Sequence, residues 1–152
     1  MLQYSMRIGF TAGAFDLLHA GHILMLKEAY EQCDHLMVGL HTDPSIDRPT
    51  TKTKPVQSIV ERHIQLKAVK YVDEIVVYET EKDLENILKS HKIDVRIIGS
   101  DYNDTDFTGK KICKDRGIKV HYNQRDHGYS TTELKQRIAD GVSAFDLLTP
   151  AD

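Results

Sequence analysis

The chain is poor in the features that tie a protein to a membrane, an oxidising compartment or nucleic acid. It has no tryptophan, and its 152 residues hold only two cysteines and four prolines. Cys33 and Cys113 lie far apart and form no CxxC pair, which excludes a disulfide framework. Both are expected to act as small packing residues in a reducing, cytoplasmic setting. No apolar run exceeds the five residues of Leu36–Leu40, whereas a membrane span needs ~20. The first residues show no basic region followed by an apolar stretch, so no secretory signal is expected. An excess of one charge is missing too. Twenty basic residues face 23 acidic ones, a net charge of -3, which argues against a nucleic-acid coat or a polybasic membrane binder. GxxxxGK[ST], GxGxxG and GxSxG are all absent. That removes the P-loop, the dinucleotide fingerprint and the nucleophile elbow, and leaves covalent catalysis without a candidate.

What remains is one domain's length of chain, with 40% hydrophobic and 28% charged residues. Strand, turn and helix recur along it. Apolar runs at 6–11, 35–41, 73–78, 94–98 and 118–122 read as strands. Helical patterns lie between them, the first over 20–32 with Ile23, Leu24, Leu26 and Tyr30 as its apolar set. Ser58 with Glu61, and Ser130 with Glu133, have capping-box spacing; Thr80 starts a further helix and Gly117 stops one. Residues 43–57, with three prolines, read as a long loop. The alternation predicts an α/β, Rossmann-like fold: an open, mainly parallel five-stranded sheet with helices on both faces. The domain is expected over 1–141, with 142–152 as a C-terminal tail. Ligands of such folds bind beyond the carboxyl ends of the strands, at the switch point, so the segments after strands one, four and five should carry function.

Those segments are unusual. After strand one, His19 and His22 sit three apart at a helix start, with Gly21 between them. They share a helix face, and imidazole N–H groups can donate to phosphate oxygens. Two histidines alone are more often a surface accident; their place at the ligand end of strand one lowers that prior sharply. A zinc reading lacks a Cys, Asp or Glu at completing distance, so no protein-held metal is expected. After strand five, Arg125 precedes a glycine turn and the run Ser130-Thr131-Thr132. Ser130 reads as an N-cap, but capping alone requires neither the arginine nor three successive hydroxyls. Asp101, after strand four, reads as a turn cap or a ribose contact. Lys52 and Lys54 in the long loop read as mobile cations that can close over a phosphorylated substrate, whereas the helix face of Arg62, His63, Lys67 and Lys70 reads as solvated.

Taken in order, these segments resemble the HxGH nucleotidyltransferase superfamily, and within it the glycerol-3-phosphate cytidylyltransferases. Gly13–His22 is similar to that family's GTFDLLHWGH, Lys70–Ile75 to RYVDEV, Gly99–Tyr102 to GDDW, and Arg125–Thr132 to RTEGISTT. The resemblance covers about residues 7–138. It implies transfer of CMP from CTP to a small phosphorylated alcohol, with glycerol 3-phosphate favoured, by in-line attack on the α-phosphorus and release of pyrophosphate. It assigns His19, His22, Lys54 and Arg125 to catalysis. It assigns Gly13, Ala14, Phe15, Gly21, Arg62, Asp101, Tyr129, Ser130, Thr131 and Thr132 to the nucleotide, and Lys52 and Asp43 to the acceptor. Mg²⁺ is implied as companion of the nucleotide, and a homodimer is implied through Lys70–Ile75.

The sequence also departs from the family pattern. Lys70 stands for arginine, Ser100 for an acid, Asp126 and His127 for Thr and Glu, Tyr129 for Ile, and Ala14 for Thr. These changes bear on which substrates are read. Three alternatives follow: a phosphocholine, phosphoethanolamine or phosphonate acceptor; an ATP-dependent adenylyltransferase of the heptose-phosphate or flavin kind; and, from another class, a nucleotide-binding regulatory module without turnover.

Overall fold

The computed structural model describes residues 5–102 and 105–148. Five strands, β1 (Ile8–Gly13), β2 (His35–His41), β3 (Glu74–Tyr78), β4 (Val95–Ile98) and β5 (Lys119–Tyr122), form one sheet in the order β3-β2-β1-β4-β5. Every pairing is parallel, as runs buried on both faces require. The chain winds outward from β1 to β3 and then crosses back to β4. The switch point therefore falls between the ends of β1 and β4.

Helices cover both faces. Helix α1 (Ala20–Glu31) and α3 (Ile59–Lys67) pack on one side, where Leu26, Ala29 and Leu66 meet Leu36, Val38, Leu40, Val95 and Ile97. Helices α4 (Glu81–Ser90) and α5 (Lys110–Arg116) pack on the other, where Leu84, Ile87, Leu88 and Cys113 meet Phe10 and Met37. Alternation along β1, β2 and β4 sends successive side chains into these two cores. Neither cysteine is in a disulfide; Cys113 is buried and Cys33 half-buried.

Local signals set the boundaries. Ser58–Glu61 and Thr80–Asp83 make complete capping boxes, while Ser130 makes only the forward bond, accepting from Glu133 N, at the start of α6 (Thr131–Asp140). Gly117 closes α5 with φ +69°, open to glycine at little cost. Two sequence expectations are corrected. The expected loop 43–57 contains a short helix, α2 (Pro44–Asp47), because Asp43 caps it and Pro44 sits where a missing N–H costs nothing. Leu24 and Tyr30 of α1 stay 44% and 41% exposed, since Leu26 and Ala29 face the sheet instead. A short helix, α7 (Ala144–Leu148), lies within the segment 142–152. Among the described residues, no helix is long and apolar enough to cross a membrane.

Candidate active site

A cleft of about 1090 Å³ opens over the carboxyl ends of the strands, where the fold predicts a ligand. Gly13, Ala14, Phe15, His22, Lys52, Thr131 and Thr132 all line it. The loop between β1 and α1, which carries Ala14 and Phe15, is strained: Phe15 and Leu17 both sit at φ +50°, rare for bulky side chains. The surroundings hold it there. Leu17 N donates to Gln57 Oε1 at 2.8 Å, and Arg62 Nη1 donates to Ala14 O at 3.0 Å.

The two histidines cap α1 themselves. His19 is the N-cap, and its Nδ1 accepts from Gly21 N at 3.0 Å. His22, at N3, returns the bond, its Nδ1 accepting from His19 N at 3.2 Å. In both rings the backbone thus occupies Nδ1, which assigns the neutral-ring proton to Nε2. His19 Nε2 meets Thr131 Oγ1 at 3.0 Å, so α1 and α6 join at their N-termini. The rings lie 4.0 Å apart, centroid to centroid, tilted by 34°. A Cβ on Gly21 would stand 2.8 Å from the His19 ring and 3.0 Å from Tyr129 O, so only glycine lets the two segments approach.

Charge follows from this packing. Burial, then the neighbouring His19, pushes the His22 imidazole down to about 4, with Asp16 pulling weakly the other way. Burial, then His127 and Arg125, lowers His19. The pair is neutral at pH 7 and presents N–H donors rather than cations. An incoming triphosphate would favour their protonation.

Other expected residues fall in different places. Ser130 is the N-cap of α6. Arg125 Nη2 donates to Tyr129 O at 3.3 Å, and the Tyr129 ring stacks on His127, 5.2 Å between centroids. Lys54 does not line the cleft; it is exposed, and its charge helps hold the Asp43 carboxyl below its ordinary range, after the Ser45 hydrogen bonds. Asp43 is occupied with capping, accepting from Ser45 N at 3.0 Å. Arg62, expected at the phosphates, is only 2% exposed and meets four carbonyls: those of Gln57, Ala14, His41 and Thr42, at 2.6–3.0 Å. Its guanidinium spans a gap between β1, β2 and α3 that no other fork of donors would fill. The Asp101 side chain lies outside the described residues.

Asp16 was not singled out by its sequence context. It is 7% exposed, and its carboxylate accepts from Val56 N at 2.8 Å and Gln57 N at 2.9 Å, with Lys135 Nζ 3.7 Å away. It ties the strained loop to the base of the lysine-bearing loop. The GAFD phrase was the available signal, since an acid after a glycine turn needs donors when buried.

The match is to the cytidylyltransferase-like family over residues 10–137. The chain belongs to that family. It is also 38% identical over 133 residues to the "Bifunctional protein HldE" of Caulobacter sp. (strain K31), covering 88% of this chain and 27% of that protein. To the protein of the same name from Acidiphilium cryptum (strain JF-5) it is 37% identical, covering 90% and 28%. The chain thus spans about a quarter of the length of these relatives. Among solved structures it is similar to the lipopolysaccharide core biosynthesis protein from Thermoplasma volcanium GSS1, at 26% identity and TM-score 0.63, over 80% of this chain and 100% of that one. No group of three or more His, Cys, Asp or Glu among the described residues could hold a metal. The resemblance implies Mg²⁺ as a companion of the nucleotide, a role that asks for no such group.

Proposed function

We propose that this member of the family transfers a nucleotidyl group from a nucleoside triphosphate to the phosphate of a small alcohol or sugar. An acceptor phosphate oxygen attacks the α-phosphorus in line. The bond from that phosphorus to the oxygen bridging to the β-phosphate breaks, and pyrophosphate leaves with the electron pair. The nucleophile is already ionised at neutral pH, so no strong base is required. The protein's part is positioning and charge stabilisation. The observation that carries the reading is the His19–His22 box. Both Nδ1 atoms are occupied by backbone N–H groups, leaving Nε2–H donors beside Thr131 at a helix N-terminus.

Two pairs of substrates follow. The motif phrases favour CTP with glycerol 3-phosphate. The similarity to a lipopolysaccharide core biosynthesis protein supports a sugar phosphate as acceptor, which is the acceptor of the adenylyl alternative with ATP as donor. Pyrophosphate release with Mg²⁺, crossing CTP, ATP, GTP and UTP against phosphorylated alcohols and sugars, separates them. Signal with CTP and glycerol 3-phosphate alone establishes the first pair. Signal with ATP and a sugar phosphate establishes the second. Nucleotide binding with no release on any acceptor would refute transfer and favour the regulatory module. His19→Ala and His22→Ala should each lower turnover by orders of magnitude with the fold intact.

The homodimer belongs to the same proposal. Tyr71, Val72 and Ile75 pack only partly against the core, and Val60 and Ile64 of α3 stay 64% exposed. Sedimentation at micromolar concentration checks it: a monomer there would remove the dimer.

A further inference from the structure

The cleft does not end at the histidines. It continues past β4 to the face covered by α4 and α5, where Arg96, Lys89 and Lys111 line it. Arg96 is the unusual member. It stands on β4 between Val95 and Ile97, both in the opposite core, and is 5% exposed. Its Nη1 donates to Thr108 O, and the guanidinium lies over the Phe107 ring at 4.9 Å. Its Nε has no hydrogen-bond partner. Arg48 Nε, on the same stretch of lining, also lacks one. Two buried guanidinium donors without a partner thus lie along one end of one cleft. Buried polar atoms are almost always satisfied, so this clustering points to a missing polar ligand.

The charge there has one sign to spare. The acids on this stretch are engaged: Glu81 with Arg48 at 3.1 Å, Glu85 with Lys82 at 3.8 Å, and Asp106 with Phe107 N at 3.0 Å. Lys89 and Lys111 enter no ion pair among the described residues; Arg96 meets a carbonyl, a ring and the Cys113 thiol, and the Glu81 carboxylate that acts on it at longer range is already paired with Arg48. A neutral sugar or a cationic headgroup would leave these groups unanswered. A second anion would answer them.

We propose that the Arg96–Lys89–Lys111 end of the cleft is a subsite for a second anionic group on the acceptor, a phosphate or a carboxylate remote from the phosphate that attacks. This rests on the transferase reading for the word acceptor, and on the cleft alone for the binding. The substrate class is then a doubly anionic sugar or polyol phosphate.

Calorimetry with three ligands on one skeleton tests it: glucose 1-phosphate, glucuronic acid 1-phosphate and glucose 1,6-bisphosphate. At least one of the last two should bind about tenfold or more tightly than the first, and which one does identifies the anion. Lys89→Gln combined with Lys111→Gln should abolish that preference and leave glucose 1-phosphate affinity unchanged. Arg96→Gln should do the same if it folds; the two surface lysines keep the test valid if it does not. Equal affinity for all three, no measurable binding of either doubly charged ligand, or a preference that survives the double variant overturns the subsite. Because binding is read directly, failure of pyrophosphate release would refute the transferase reading and leave this result standing.

Discussion

Acidification should unfold this protein through His22 before it touches the carboxylates. The ring is packed against His19 and Phe15, and burial holds its pKa at about 4, against an ordinary 6.5. Between those values the unfolded chain binds a proton that the folded one refuses. Stability is therefore complete above pH 6.5, falls as pH drops, and has lost this contribution by pH 4. Each unit of separation corresponds to ~1.4 kcal/mol, so the loss approaches about 3 kcal/mol, a large part of a typical domain's stability. His19 is shifted in the same direction and adds to the slope. The carboxylates held low by hydrogen bonds, Asp83 and Asp94 among them, lose most of their contribution below that window. Urea denaturation at half-unit pH steps measures the effect. His22→Asn is the control, because the Asn oxygen can still accept from His19 N at N3 while nothing titrates there. The wild type should lose about 3 kcal/mol more than the variant between pH 7 and 4. Parallel curves would refute both the neutral state of His22 and the donor role built on it.

Three further outcomes follow from the geometry. Arg62→Lys should cost roughly 2–4 kcal/mol of stability, since one ammonium cannot reach four carbonyls and leaves several unsatisfied; chemical denaturation reads it, and a loss under ~0.5 kcal/mol would show that the fork is dispensable. Asp16→Asn removes an acceptor for Val56 N or Gln57 N; it should depress kcat by roughly tenfold or more through misplacement of the loop, with nucleotide affinity nearly unchanged in calorimetry. Gly21→Ala forces its Cβ against the His19 ring and Tyr129 O, so turnover should fall while the circular dichroism spectrum stays native; unaltered turnover would mean that the α1–α6 contact is slack.

The sheet was legible because its signals are local and periodic. Buried runs such as Leu36–Leu40, the Ser58 and Thr80 caps and Gly117 each declare an element within a few residues. The His19–Gly21–His22 spacing was legible for the same reason, as three positions on one helical turn. What the sequence concealed was the reach of long side chains. Arg62 occupies a helix position beside His63 and Lys67 that resembles a solvated face, yet its guanidinium is buried among the nearby Gln57 carbonyl and those of two segments distant in sequence, Ala14 and His41–Thr42. Arg96 interrupts a strand that otherwise looks uniformly apolar, and nothing nearby tells which face will take the charge. Lys52 and Lys54 share a loop without periodicity, so only the folded chain decides that Lys52 and not Lys54 lines the cleft.

The position of β1 has a consequence for how the chain comes together. It lies at the centre of the sheet, and its second neighbour arrives late: Ile8 N is held by Asp94 Oδ2, 86 residues away. A nascent chain that has reached β3 can pair three strands, but it leaves one flank of β1 bare. Such an open parallel edge invites another chain to add itself. Closing it requires a long excursion of chain, and long-range pairing of this kind is slow. During synthesis, the stability of the finished domain offers no protection; the hazard lies in the interval before β4 reaches its place, and a truncation anywhere between residues 78 and 95 would make that hazard permanent.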